Sequence, residues 1–199
     1  MKILDLGCGE NKISNAIGLD NVSLPGVDVL HDLMELPYPF ESESFDKIYL
    51  RHVIEHFEIT DINLIINECH RILKNNGQLS ITVPHAFSIS AFIDPTHESF
   101  FTFGSGKFWD KNNPKSYYKN FQSNLKLVQT SCSNLTWLNW KGYRIKKIDK
   151  FLSKIMEKRI RKALFRNSNN SNFGFGDSDR LIKRYAFHFV EIKWLFQKL

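Results

Sequence analysis

The sequence predicts an α/β fold built on a mostly parallel sheet, with residues 1–199 forming one domain. Three observations carry that prediction. The chain opens on an apolar run, Ile3-Leu4-Asp5-Leu6, that ends in Gly7-Cys8-Gly9, as a buried strand does when it feeds a tight turn near a ligand. Further short strand-like runs follow at 16–19, 27–30, 47–50 and 78–83. Between the last two, residues 61–73 place Ile62, Ile65, Ile66, Cys69 and Leu73 at helical spacing. Strands alternating with helical segments in this way argue for parallel pairing.

In chain order, strand one is 3–6 and strand two is 16–19. Strand three, 27–30, follows the turn Leu24-Pro25-Gly26. The tract 35–46, with Pro37 and Pro39, reads as a loop before strand four at 47–50. Asp61 is placed to cap the helix, and Asn75-Asn76-Gly77 supplies the left-handed turn that ends it. Strand five, 78–83, closes on Pro84. Residues 85–109 form a long loop holding Asp94-Pro95-Thr96-His97 and then Phe100, Phe101 and Phe103. Its aromatic density argues against disorder and its length argues for function. Leu125–Val128 alternates as a sixth strand, and 186–199 carries the last strands as an antiparallel edge pair.

Size and composition permit a packed enzyme-sized domain. With 199 residues, 42% hydrophobic and 17 Phe, the chain can bury about 70% of its unfolded surface. No run of 18 apolar residues is present, so no membrane span is expected, and the amino end lacks a signal pattern. Cys8, Cys69 and Cys132 form no Cys-x-x-Cys pair, which argues against a disulfide framework or a zinc site and for a reducing, cytoplasmic setting. The net charge of +6 is local: residues 141–166 hold eleven Lys or Arg against two acids. Their net +9 leaves the other residues at −3. Residues 143–165 place Ile145, Ile148, Leu152, Ile155, Ile160 and Leu164 on one helical face with the cations opposite. That basic helix has three readings: a lid, an anionic membrane surface, or nucleic-acid phosphates with Trp137, Trp140 and Tyr143 as stacking groups. Asn167–Ser178 reads as a polar loop.

The turn after strand one discriminates between ligands. A dinucleotide site needs a third glycine and a full helix for its pyrophosphate. Here Asn11 stands two residues after Gly9, and only 10–17 separate the turn from Gly18-Leu19-Asp20. That is too short for a standard crossover helix. S-adenosylmethionine has no phosphate; it needs space for its amino-acid tail and a carboxylate for the ribose hydroxyls. Asp20, ending strand two, is placed for the second task.

Asp5-Leu-Gly-Cys-Gly9, Gly18-Leu19-Asp20, Val29-Leu-His-Asp32-Leu33, Ser44-Phe45-Asp46, Arg51-His52-Val-Ile-Glu55-His56 and Arg71 to Gly77 occur in that order. Together they resemble the motif series of class I S-adenosylmethionine-dependent methyltransferases, of methyltransferase type 11 kind, across residues 2–84. The resemblance implies a Rossmann-like, mostly parallel seven-stranded sheet with an antiparallel edge strand. It also implies a shortened first helix and a helical or loop insertion before the last strands. It implies S-adenosyl-L-methionine held by Asp5, Gly7, Cys8, Gly9, Asp20, Asn21, Asp32, Leu33 and whichever of Arg51 and His52 faces inward. Asp20 would take the ribose, Asp32 the adenine amino group and Leu33 the ring; Asp32 could equally cap the turn that follows it. His56 reads as a packed structural residue.

For the acceptor, His85 at the carboxyl end of strand five or His97 in the aromatic loop is the expected general base. The region 85–180 would contain this acceptor loop and the basic lid. The acceptor is expected to be a small molecule, a sugar or lipid-linked one included, with nucleic acid less favoured because no Asn-Pro-Pro-Tyr-type motif is present. The competing reading is a methyltransferase-like binding module without catalysis, which the missing first helix keeps open; a nicotinamide enzyme is argued against by Asn11.

Overall fold

The computed structural model describes residues 1–113, 124–134 and 190–199. The basic helix expected at 143–165, Trp137, Trp140 and Tyr143, and the tract 167–178 lie outside the described residues.

Seven strands form one sheet in the order β3-β2-β1-β4-β5-β7-β6. They are β1 (Ile3–Leu6), β2 (Ala16–Asp20), β3 (Val29–Leu30), β4 (Phe45–Arg51), β5 (Leu73–Pro84), β6 (Leu125–Asn134) and β7 (Val190–Lys198). The first five are parallel to one another, while β7 runs antiparallel to both β5 and β6. The expected Rossmann-like sheet is therefore present; the antiparallel pair expected within residues 186–199 is formed instead by β7 with β6, because Val190–Lys198 is one continuous strand.

The crossovers differ from an ordinary parallel sheet. No helix joins β1 to β2; the loop 7–15 makes the connection alone, which completes the expected shortening of the first helix. Among the described residues, α1 (Ile59–Ile72) is the one helix longer than two turns. It begins two residues before the predicted start, with Glu58 rather than Asp61 at the cap position. Its fully buried stripe is Ile62, Ile65, Ile66, Cys69 and Ile72, the face that the apolar periodicity predicted. Each such side chain stabilises the fold by roughly 1.5–3 kcal/mol relative to exposure. Leu73 leaves the helix directly into β5, so that strand starts five residues earlier than expected. Asn76 keeps the predicted left-handed conformation (φ 64°) inside the irregular start of β5.

The aromatic loop is folded down onto β7. Trp194 is fully buried, with the rings of Phe101 and Trp109 5.6 and 5.7 Å from its own. A Cβ at Gly106 would come within 2.7 Å of the indole, so only glycine allows this approach. Trp109 also donates its indole N–H to Asn63 on α1 at 2.9 Å. The loop thus joins helix and sheet at the carboxyl edge of the parallel strands, where open α/β sheets bind ligands.

Candidate functional site

The turn after β1 takes its shape from two left-handed glycines, Gly7 (φ 63°) and Gly9 (φ 52°). Gly7 and Cys8 both donate their amides to the Leu19 carbonyl, at 2.8 and 3.2 Å, which folds the turn over the end of β2. A Cβ at Gly7 would lie 2.5 Å from Val53 Cγ2, whereas one at Gly9 would meet nothing within 4 Å. The first glycine is required by packing. The second leaves space.

Asp20 faces this turn from the end of β2, accepting the amides of Gly9 (2.8 Å) and Val22 (3.1 Å). A carboxylate has about four acceptor positions, so these bonds orient it and leave capacity for a ligand's hydroxyls. It lines a cavity of about 280 Å³ together with Gly7, Asn21, Asp32, Leu33 and His52. Six of the residues expected to hold the cofactor therefore surround one space. Asp32 caps the turn that follows it, one oxygen accepting the Met34 amide at 2.8 Å, and the residue also lines the cavity.

The other four cofactor candidates lie around the turn without lining the cavity. Cys8 is buried, with Sγ directed to Gly18, where a Cβ would stand 2.7 Å from the sulfur. Burial and the nearby Asp5 and Asp20 carboxylates push its thiol pKa up, so it is no ready thiolate. Gly9 reaches the site through Asp20. Asp5, fully buried, accepts the Ile13 amide at 2.8 Å and an ion pair from Arg51 at 2.7 Å. Arg51 is thus turned to the loop and His52 to the cavity, which separates the two residues that the sequence left undecided.

His52 sits in the left-handed region (φ 55°), an uncommon conformation for a residue with a side chain. Its Nε2 lies 2.7 Å from Glu191 and its Nδ1 3.2 Å from Glu55. The hydrogen bonds to Glu191 and then Glu55 raise its pKa to about 9, so it carries a proton at neutral pH and acts as a donor.

Three residues missed by sequence reasoning complete the cavity wall: Val53, His56 and Phe57. A signal for Val53 was available only through its contact with Gly7. His56 projects from the short 3-10 turn Ile54–His56, and its ring lies 4.7 Å from that of His97. The loop that carries His97 is held here by the Glu55 carbonyl, which accepts the amides of Glu98 (2.8 Å) and Ser99 (3.0 Å). His85 is elsewhere. It is fully buried, accepts the Phe87 amide at 3.0 Å, and packs against the rings of Phe87 and Phe103.

Residues 20–81, from the end of β2 into β5, match the methyltransferase domain family. The fold is that of the class I S-adenosylmethionine-dependent methyltransferases. A methyltransferase of Archaeoglobus fulgidus, described as dependent on that cofactor, superposes with a TM-score of 0.55 at 16% identity, covering 99% of this chain and 86% of that one. An N-methyltransferase of Haemonchus contortus, solved with phosphomonomethylethanolamine and S-adenosylhomocysteine, superposes at 0.52 with 16% identity, over 100% of this chain and 49% of that one. In sequence, the mitochondrial ubiquinone biosynthesis O-methyltransferase of Rattus norvegicus is 25% identical over 114 residues, 45% of this chain and 32% of that protein. The chain spans about a third of the length of the curated relatives it matches. The family resemblance read from the motifs is borne out, and the matched segment contains Asp20, Asp32, Leu33 and His52.

Proposed function

We propose that the chain is an S-adenosyl-L-methionine-dependent methyltransferase acting on a small-molecule acceptor. The observation that carries this is the convergence of Asp20 and Asp32 with the Gly7 to Gly9 turn on one cavity. Two carboxylates suit the ribose hydroxyls and adenine amino group of a nucleoside and repel a diphosphate. The open space at Gly9 suits close approach of an amino-acid tail.

When bound, S-adenosylmethionine supplies a methyl group already activated on a sulfonium. The protein then works mainly by position, an effect that can reach ~7–11 kcal/mol. Asp20 is held rigid by two amides before any ligand arrives, so little reorganisation is needed to accept hydroxyls. Protonated His52, with both N–H groups bonded to Glu191 and Glu55, brings positive charge to the cavity wall. The acceptor would enter beside His56, with the aromatic loop as its outer wall. An acceptor hydroxyl must lose a proton during transfer, and His56 and His97 stand beside the place where it is released. The O-methyltransferase name of the curated relative favours oxygen as the methylated atom, and a sugar-type hydroxyl fits the same requirement.

Calorimetric titration with S-adenosylmethionine tests the reading. The wild-type chain should bind with micromolar Kd. Asp20→Ala should weaken binding by roughly 10–100-fold, the value of a charge-assisted hydrogen bond. Absence of heat with the wild-type chain would overturn the assignment and favour a binding module with a methyltransferase-like fold.

A further inference from the structure

We infer that Glu55, His56 and His97 form a binding site for one divalent transition-metal ion, with zinc the best chemical match, at the acceptor end of the cavity. A ligand-capable atom from each of the three lies within 4.8 Å of the others. Among the described residues no other such group of His, Cys, Asp and Glu side chains is found. Donors around tetrahedral zinc at ~2.0–2.2 Å stand roughly 3.3–3.6 Å apart, so side-chain shifts of about 1 Å close the three onto an ion.

The hydrogen bonds around the cluster leave one of its carboxylate oxygens without a partner. Glu55 is fully buried; its Oε1 is paired with His52 Nδ1, but its Oε2 is buried without any hydrogen-bond partner. A buried carboxylate oxygen without a partner is strongly disfavoured unless something positive occupies the space beside it. The two imidazoles are oriented to supply lone pairs. His97 Nδ1 lies 3.0 Å from the Ala91 carbonyl, which can only accept, so the Nδ1 of His97 carries the hydrogen and its Nε2 is left as a ligand. His56 Nδ1 lies 2.8 Å from Thr96 Oγ1, and that hydroxyl donates to Asp94 at 2.7 Å. The Thr96 proton is committed to the carboxylate, so His56 donates from Nδ1 and again presents Nε2. A carbonyl and a hydroxyl–carboxylate chain behind ligand imidazoles are the outer contacts that metal-bound histidines make.

Two imidazoles and one carboxylate select a borderline transition metal over magnesium or calcium. Three protein ligands leave a position free, the arrangement of catalytic rather than structural zinc. His56 also lines the cofactor cavity, so that position faces the place assigned to the acceptor. An acceptor oxygen held there would lose its proton to solvent more readily, as metal-bound water does. The role in methylation rests on the function proposed above; the ion site itself does not.

The test uses the full chain, stripped with EDTA, dialysed, and titrated calorimetrically with zinc sulfate without cofactor. One equivalent should bind. His97→Ala should weaken it by at least ~100-fold, and Thr96→Val, which removes the hydroxyl that links His56 to Asp94, by roughly 10–100-fold. His31→Ala, a histidine paired with Glu35 and outside the group of three, should bind as wild type. Cobalt(II) added to the wild-type chain should give visible d–d absorption that zinc abolishes, a readout that stands even if His97→Ala does not fold. No stoichiometric zinc binding, no such cobalt spectrum, or an affinity unchanged in Thr96→Val would overturn the site. Failure of S-adenosylmethionine to bind, with zinc binding intact, would instead remove the methyltransferase reading and leave the metal site standing.

Discussion

Arg51 ties the fully buried Asp5 carboxylate, at 2.7 Å, to the Asn11 carbonyl, at 2.6 Å, through a single guanidinium nitrogen. The loop 7–15 has no helix of its own, and this nitrogen fastens it to the end of β4. Asp5 adds a second fastening through the Ile13 amide. The missing crossover helix is thus replaced by a buried charge that organises backbone. Removing Arg51 would leave that charge without its partner, the costly way to break a buried pair.

Arg51→Met should therefore destabilise the fold by about 3 kcal/mol, toward the lower end for such pairs because the guanidinium is 33% exposed. Urea denaturation checks it. Because the same loop carries Gly9, cofactor affinity should fall as well. Loss of affinity with full stability would show that Arg51 touches the ligand instead of the loop.

The two turn glycines should separate packing from binding. Gly7→Ala drives a methyl to 2.5 Å from Val53 in a left-handed backbone, so it should lower stability by about 2–3 kcal/mol. Gly9→Ala meets no neighbour and carries only the conformational term, about 1–2 kcal/mol. Its methyl instead enters the open space, and S-adenosylmethionine affinity should drop at least tenfold by calorimetry. Equal affinity in wild type and Gly9→Ala would move the amino-acid tail elsewhere.

The parts of this site legible in the sequence are those fixed by backbone turns and strand ends. Gly7 follows β1 directly, Asp20 ends β2 and Asp32 lies just past β3, and strand ends in a parallel sheet share one edge, so order alone predicts their convergence. His56 was not legible. Its position on the cavity depends on the short 3-10 turn and on loop 94–99 docking against the Glu55 carbonyl, a contact between residues about 43 apart. Arg51 and His52 were ambiguous for a related reason: a positive φ at His52, invisible in composition, decides which side chain turns inward. The early start of β5 was hidden by Asn-Asn-Gly, whose left-handed residue makes an irregularity within pairing instead of a loop.

Asp28 makes the same loop acid-sensitive. Its Oδ2 accepts the Gly18 amide and the Lys12 ammonium, each at 2.7 Å, and these bonds, the amide first, hold its carboxyl below the usual carboxylate range. A depressed folded pKa stabilises the native state above the unfolded value, near 3.8, and that stabilisation is lost as pH falls through the folded value. Thermal melts below pH 4 should thus fall more steeply for wild type than for Asp28→Asn, and the two should converge in slope above about pH 5. Parallel acid limbs would show that Asp28 titrates normally.

His85 and His97 looked alike in the sequence as candidate bases, and their surroundings now assign them different work. His85 is enclosed by Phe87 and Phe103 with its Nδ1 bonded to backbone, so His85→Ala should open a cavity and lower stability by about 2–4 kcal/mol. His97 is partly exposed and contributes one bond to the Ala91 carbonyl, so its removal should destabilise by only about 1 kcal/mol. Turnover should follow the opposite order, with His97→Ala losing ~10²–10⁴-fold, as the acceptor proton is then released less readily, while S-adenosylmethionine affinity holds. The decisive measurement is single-turnover methylation at saturating cofactor beside a denaturation curve for each variant. A stable His97→Ala with full turnover would dismiss the imidazole from the chemistry. A His85→Ala that is stable but inactive would return the proton transfer to the buried ring.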